Sequence, residues 1–320
     1  MDIENYIVRA LLERLRVGDI VNGNRIAQEL GVSRALIHKA IDFLRSFGLP
    51  IKSVPGRGYI LPMSDNLSDA IQLLEMVGVG ANIVIFPRCD RSSQDIAKEM
   101  AYSGASEWSI VVCEEMFRGR GRLGRMWYAP RGGLWFSILL RPRYIDRLHF
   151  LSIVGSLAVA EAINILLGVG AGVKWPNDVI IGGKKVCGIL VEGEVEADRI
   201  RHIVIGIGIN VNNDIPSDIR DIAIALKDVV GRYIPRATLL TVIVARLYRY
   251  YGYMLTGRYR DIVSRYREML LTRGREVKVV LVSGEEIIGR AIDVDEIGRL
   301  QIDTGRDIVS IDAGDVYHLR

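Results

Sequence analysis

From Leu151 to Val173 the chain reads LSIVGSLAVAEAINILLGVGAGV, with Glu161 as its one charged side chain. A stretch this long and apolar has to be kept from water along its whole length, by a bilayer or by a protein core. Ser152, Ser156 and Asn164 interrupt it along with Glu161, and the polar turn KWPND follows at once, so a buried core helix is expected and a membrane partner is not. The core around such a helix must be sizeable, and 320 residues can build it as two average domains or three small ones. Hydrophobic residues make up 49% of the chain and charged residues 25%, a balance that excludes a disordered, collagen-like or coiled-coil chain.

Cys89, Cys113 and Cys187 are odd in number and far apart, which gives neither a disulfide framework nor a CxxC metal spacing. The N-terminus MDIENYIVRALLERL alternates charged and apolar residues and lacks the unbroken apolar run of a signal peptide. Both features point to the cytoplasm.

Charge is spread unevenly. Nine basic residues face six acidic ones from Met1 to Met63, whereas the last fifty residues carry seven against ten, so the front of the chain can meet polyanions and the back should not. Within the front, Ile7, Ala10, Leu11 and Leu15, then Ile26 and Leu30, recur at helical spacing around the break VGDIVNGN. In GVSRALIHKAIDFLRSFG, Gly31 ends one helix, Ser33 caps the next, and Leu36, Ile37, Ala40, Ile41 and Leu44 form the buried face. Two short alternating runs then flank Pro55-Gly56-Arg57-Gly58, which reads as a β-hairpin wing. This is a winged helix-turn-helix. Its second helix would enter a DNA major groove, bringing Ser33, Arg34, His38 and Lys39 to bases or phosphates, with Arg57 at the wing tip on the backbone. The competing use of such a module is protein contact, with the same basic residues merely solvated.

Met116 to Ile145 holds seven arginines and no acid, so something anionic has to compensate it. The densest part, RGRGRLGR, interleaves Arg118, Arg120, Arg122 and Arg125 with Gly119, Gly121 and Gly124. Glycine lets the backbone approach a ligand closely, and guanidinium forks match phosphate and carboxylate oxygens. The three glycines satisfy GxGxxG, yet a dinucleotide site needs a helix to begin there, and MWYAPRGGLWFSILLRP is instead an aromatic alternating run. No GxxxxGK[ST] occurs, and an RG-rich RNA-binding tract would not lie between the strands WSIVVCEE and LWFSILL. A mobile anion-binding loop between strands is the reading that remains.

VKWPNDVIIGGKKVCGILVEGE reads as turn, strand, tight Gly182-Gly183 turn and returning strand. Lys174, Asn177 and Asp178 cluster at the first turn, and Lys185 begins the return. In HIVIGIGINVN, glycine alternates with isoleucine, leaving one strand face bare for a flat ligand or another chain. The tail has short alternating strands separated by SGEE, DEIG and TGRD turns, as in a small β-barrel.

Taken together these motifs resemble the biotin protein ligases, specifically the bifunctional type that doubles as biotin-operon repressor. The resemblance spans nearly the whole chain: the winged module, SSQD, GRGRxGRxW, KWPNDV, KKVCGILVE, GIGINVN and the final β-domain. It implies an α+β protein with the winged module at 1–63, a connecting helix at 64–80, a mixed-sheet α/β catalytic domain at 81–270 and an SH3-like barrel at 271–320. The activity it implies is that of a biotin-[acetyl-CoA-carboxylase] ligase. Biotin and ATP give biotinyl-5′-AMP, and the biotinyl group passes to a lysine of a biotin carboxyl carrier protein; operator DNA is a further partner and a homodimer the expected assembly. Mg²⁺ would come with the ATP phosphates and not in a protein-only cage.

Residue by residue, Ser92, Ser93 and Gln94 fall on the family's Ser-Thr-Asn biotin motif, and Gly119, Arg120, Gly121 and Arg122 on its GRGR loop. By the same likeness Arg120 contacts biotin, Arg122 reaches carboxylate and phosphate, Lys185 bridges the two, and Gly188 lines the ring. Trp127 would stack on adenine, with Arg122, Arg125, Lys174, Asn177, Asp178 and Asn210 around the nucleotide and its metal. Met116 departs from the pattern, standing where a glutamine usually bonds the ureido group. Losing one neutral hydrogen bond to a buried group costs on the order of 1–3 kcal/mol unless another group takes over.

Such chemistry has a definite obstacle. The biotin carboxylate is already ionised, so the first step needs no base, but it must meet a second anion. At 4 Å and an effective dielectric near 20 the repulsion is about 4 kcal/mol, roughly a thousandfold in rate, which Arg120, Arg122 and Lys185 would offset. The second step needs a neutral amine, and Asp178 is the expected proton acceptor. Two rivals remain: a non-enzymatic regulator using biotin or a similar acid as co-repressor, and a lipoate ligase, whose substrate lacks the ureido ring.

Overall fold

The computed structural model describes residues 3–142, 147–196 and 199–319; the end of the arginine-rich stretch, from 143 to 145, lies outside them. The chain opens with α1 (Ile3–Leu15), α2 (Gly23–Glu29) and α3 (Arg34–Ser46), followed by the hairpin β1 (Lys52–Val54) and β2 (Gly58–Ile60). Asn22 and Ser33 supply the capping oxygens of α2 and α3, which is why both helices start where they do. Ile37, Ala40, Ile41 and Leu44 are buried, and Val21 pairs with Tyr59 to dock the wing. A short helix, α4 (Asp69–Met76), leads out.

Next come β3 (Asn82–Phe86), α5 (Ser93–Tyr102), β4 (Ser109–Cys113), β5 (Met116–Arg120), β6 (Met126–Ala129) and β7 (Leu134–Leu140). After α6 (Phe150–Leu167) follow β8 (Gly172–Lys174), β9 (Asp178–Ile181), β10 (Lys184–Glu196) and β11 (Arg199–Ile209). One seven-stranded sheet has the order β3-β4-β7-β11-β10-β9-β8, and it is mixed because β3 and β4 alone run parallel. Strand alternation sends Ile110, Phe136, Ile138 and Ile205 toward α6, and Val111, Trp135, Leu139 and Val204 toward α5. The apolar segment is therefore a core helix, sheltered by the sheet on one side and by α8 (Arg236–Leu255) and α9 (Tyr259–Met269) on the other, with α7 (Leu226–Val230) preceding them.

The last unit, β12 (Glu276–Val280), β13 (Glu286–Val294), β14 (Leu300–Asp303), β15 (Ile308–Ile311) and β16 (Asp315–His318), is an antiparallel sheet ordered β15-β14-β13-β12-β16. Among the described residues its edge strands β15 and β16 do not pair with each other. It docks on the KWPND turn, where Trp175 Nε1 donates to Gly298 O (2.9 Å) and Trp175 N to Thr272 Oγ1 (3.1 Å). Buried Arg236 joins front and middle: it donates to Asp65 (2.8 Å), just past the wing, and to Glu114 (2.7 Å), just past β4.

Two expectations are corrected. Cys89 and Cys113 form a disulfide, because β3 and β4 lie parallel and side by side and bring their ends to a Cα separation of 6.0 Å. Cys187 alone is a free, buried thiol. The arginine-glycine segment is also more than a loop: β5 and β6 pair as a two-stranded hairpin, joined by the 3-10 turn Arg122–Gly124.

Candidate active site

Strands β10 and β11 are antiparallel with Gly188 directly opposite Gly208. With no side chain at either position, the indole of Trp127 lies against the backbone. A Cβ at Gly208 would stand 2.7 Å from Trp127 Nε1, and one at Gly188 3.2 Å from Cζ3. The bare face read from the glycine–isoleucine alternation is thus real, and the protein's own indole rests on part of it. Around this floor opens a cleft of about 340 Å³. Its closed end is lined by Ser92, Ser93, Gln94, Met116 and Ser137; its other end by Arg120, Arg122, Arg125, Asn177, Asp178 and Lys185.

The cationic end is held by carboxylates from four separate elements, α5, β9, β10 and β16. Arg120 Nη2 donates to Asp95 on α5 (2.8 Å) and to Glu192 on β10 (3.0 Å). Partial burial works against the Arg120 charge, yet these two carboxylates outweigh it and raise its pKa. For Glu192 burial acts upward, and Lys98 and Arg120 more than reverse it, so its carboxyl stays below the usual range. Arg122 donates to Asn177 Oδ1 (3.1 Å) and to Gly314 O (3.2 Å), and lies 3.6 Å from Asp315. Arg125 also pairs with Asp315. Lys185 Nζ sits 2.6 Å from Asp178 Oδ1 and 5.5 Å from the centroid of the Trp127 ring. The anion demanded by the arginine-rich stretch is met here by Asp95, Glu192 and Asp315, which are internal stand-ins a bound anion would have to displace or join.

Most of the site residues named from sequence converge on this cleft, Gly121 included, and three do not. Gly119 is buried in the hairpin, where a Cβ would meet Trp127 O at 2.4 Å, so it serves the close pairing of β5 and β6. Lys174 is not part of the cleft lining and sits opposite Asp178 in the β8–β9 ladder. Burial pulls its ammonium below the ordinary lysine value, Asp178 pushes back, and Lys185 adds to the drop. Asn210 lines a neighbouring hollow of about 370 Å³ that shares Trp127, Lys185 and Ile222 with the cleft, and its Oδ1 accepts from Asn213. Sequence reasoning gave no role to Ser137, whose only signal was a lone hydroxyl in the apolar run LWFSILL, nor to Asp95 and Glu192, although SSQD and KKVCGILVE end on them, nor to Asp315, which carried no signal.

In the winged module, Arg34, His38 and Arg57 line one hollow between the start of α3 and the wing, together with Asn24 and Tyr59. Lys39 is exposed on α3 outside that hollow, and the Ser33 hydroxyl is engaged as the helix cap, accepting from Leu36 N at 3.2 Å. Among the described residues no group of three His, Cys, Asp or Glu side chains could cage a metal ion.

Comparison with known proteins gives a consistent result. The Biotin/lipoate A/B protein ligase family matches residues 86–210, the HTH domain residues 8–60 and the Biotin protein ligase C terminal domain residues 272–319. The bifunctional ligase/repressor BirA of Bacillus subtilis is 32% identical over 305 residues, covering 93% of this chain and 94% of that protein. The biotin--[acetyl-CoA-carboxylase] ligase of Mycobacterium tuberculosis is 30% identical over 77% of this chain and 93% of its own. Among solved structures, the biotin protein ligase from Aquifex aeolicus in complex with biotin and ATP superposes with a TM-score of 0.67 at 31% identity, covering 75% of this chain and 99% of that one.

Proposed function

The chain belongs to the family of bifunctional biotin ligase/repressors, and from that premise we propose how its cleft works. It is an enzyme, a biotin-[acetyl-CoA-carboxylase] ligase that activates biotin with ATP as biotinyl-5′-AMP and passes it to a carrier lysine. The observation that carries this reading is one cleft with a hydroxyl-lined closed end and a cationic open end, joined across a glycine floor.

Biotin would enter ring first, placing its carboxylate among Arg120, Arg122 and Lys185. In the empty cleft each of these cations already faces a carboxylate. Ligand binding therefore exchanges an internal anion for an incoming one, and the cations are held in place for it. Lys185 would leave Asp178 to bridge the biotin carboxylate and the α-phosphate, while Arg122 and Arg125 turn from Asp315 to the nucleotide and Trp127 lifts off Gly208 to stack on adenine. Lys174, opposite Asp178 in the β8–β9 ladder, and Asn210, in the neighbouring hollow, would act on the nucleotide from beside the cleft. Mg²⁺ arriving with the triphosphate would neutralise part of its charge, and Asp178 and Asp315 are the carboxylates of the cleft lining that would face it.

Once Lys185 has moved away, Asp178 is free to position the carrier amine and take its proton. Acyl-adenylates hydrolyse readily, so the segment from Arg118 to Met126 should close over the ligands and then open for the carrier. The winged module would bind operator DNA through Arg34, His38, Lys39 and Arg57, and a homodimer would present two such modules to a palindrome. We place the protein in the cytoplasm, where ATP, carrier and DNA meet; the Cys89–Cys113 bridge is buried and so shielded from reductant there. The test is the mass of a purified carrier domain after incubation with chain, biotin and MgATP, run beside Arg120→Ala. A biotinyl increment on one lysine, lost in the variant, is expected; an unchanged mass with wild type refutes the reading and leaves a ligand-binding regulator.

A further inference from the structure

The closed end of the cleft carries polar groups whose protons can be counted, and the count fixes which way each one points. Gln94 is fully buried, and its amide nitrogen lies 3.2 Å from the backbone carbonyl oxygens of both Leu190 and Val204. Carbonyls only accept, so both amide protons are engaged there and the carboxamide oxygen is the atom facing Ser137 Oγ, at 3.1 Å. That oxygen also only accepts, so Ser137 donates its single proton to it. Ser93 Oγ lies 2.8 Å from Ser137 Oγ, and with the Ser137 proton already committed it is Ser93 that donates. What Ser93 then offers the cleft is a lone pair. Ser92 is the opposite case: its Oγ accepts from Gln94 N as the cap of α5, and among the described residues its own proton has no acceptor.

Met116 adds nothing to this set, because its thioether already accepts from Ser93 N at 3.2 Å. The closed end therefore presents one fixed acceptor next to one free donor. That pair complements an N–H beside a C=O, as on a cyclic urea, and a cyclic disulfide satisfies neither member. We propose that Gln94 and Ser137 are positioning residues for substrate selection: by orienting the Ser93 hydroxyl as an acceptor, they make the cleft select a ring that carries an N–H donor. The inference rests on the biotin reading above and extends it to what replaces the hydrogen bond that Met116 cannot make. Gly206 belongs to the same device, since a Cβ there would stand 2.3 Å from the Gln94 carboxamide oxygen.

Ser137→Ala frees the Ser93 hydroxyl to rotate and strands the Gln94 oxygen. We expect the KM for biotin in adenylate formation to rise about tenfold with kcat changing less than threefold, the effect of one neutral hydrogen bond lost from binding. The preference for biotin over lipoate, as a ratio of kcat/KM values, should fall at least tenfold, and Ser137→Thr, which keeps the hydroxyl, should restore most of it. A KM within twofold of wild type with unchanged preference overturns the proposal. If Ser137→Ala does not fold, the wild-type protein decides by calorimetry with a biotin analogue whose ring urea is a cyclic carbonate. At least thirtyfold weaker binding than biotin is expected, and equal binding overturns the proposal. Failure of wild type to form any adenylate from biotin is separately visible and removes the biotin reading together with this one.

Discussion

Replacing Lys185 by glutamine tests the electrostatic core of the account. The Lys185 ammonium balances one carboxylate in the empty cleft, Asp178 at 2.6 Å, and would have two anions to bridge once biotin and ATP are bound. A unit charge about 4 Å from one anion is worth about 4 kcal/mol at an effective dielectric near 20. The Lys185 side chain is 33% exposed, so water screens part of this, and about 2–4 kcal/mol is the reasonable range for what the transition state loses. Biotinyl-5′-AMP formation by Lys185→Gln should therefore slow by roughly 30- to 1000-fold. Transfer of biotin from purified adenylate to the carrier should slow by less than about tenfold, because only the departing AMP then needs a cation. Rapid-quench single turnovers with chromatographic detection of adenylate separate the two steps. If Lys185→Gln folds with wild-type stability and forms adenylate within tenfold of the wild-type rate, the charge-compensation argument is wrong.

Four further outcomes are expected. The Cys89–Cys113 bridge spans 24 residues, so reducing it, or replacing Cys113 by Ala, should cost about 3.5 kcal/mol through the unfolded chain, and coincident urea midpoints in oxidised and reduced protein would contradict this. His318 is exposed as a residue but its ring is partly desolvated beside Thr272, and this, with Lys174 and Arg275 nearby, lowers its pKa from the usual 6.5 to about 4. Its folded pKa lies below the unfolded one, so the unfolded state binds the extra proton between those values. Stability should fall as pH drops from about 6.5 to about 4, and His318→Gln should flatten thermal midpoints across that window. Asp178→Asn should slow transfer from purified adenylate at neutral pH at least tenfold, and an unchanged transfer rate would remove Asp178 as proton acceptor. Arg57→Ala should weaken operator binding about equally at all sequences and lower the salt slope by about one, whereas a sequence-specific loss would mean that the wing reads bases.

What the sequence made legible is what local chemistry determines. Ser33 as a cap, Gly182-Gly183 as a tight turn and the wing at Pro55-Gly56 each depend on residues within a few positions of one another, and each appears where the pattern placed it. The chemistry of the loop arginines was readable because seven of them without an acid is a local excess. Their partners were not. Arg125 meets Asp315 across 190 residues, and Arg120 meets Glu192 across 72. No spacing rule reaches that far. The disulfide escaped for the same reason, since pairing Cys89 with Cys113 requires knowing that β3 and β4 lie parallel. Ser93 and Gln94 do line the cleft, but the roles proposed for them depend on Ser137, Leu190 and Val204, which only the folded sheet assembles.

The central claim is that one cleft brings two anions together and keeps the resulting mixed anhydride. Incubating the wild-type chain with biotin and MgATP but no carrier, desalting, denaturing and quantifying bound biotinyl-5′-AMP measures it directly. Close to one adenylate per chain is expected, falling to background in Arg120→Ala. Free pyrophosphate without retained adenylate, or no adenylate at all, would contradict the account.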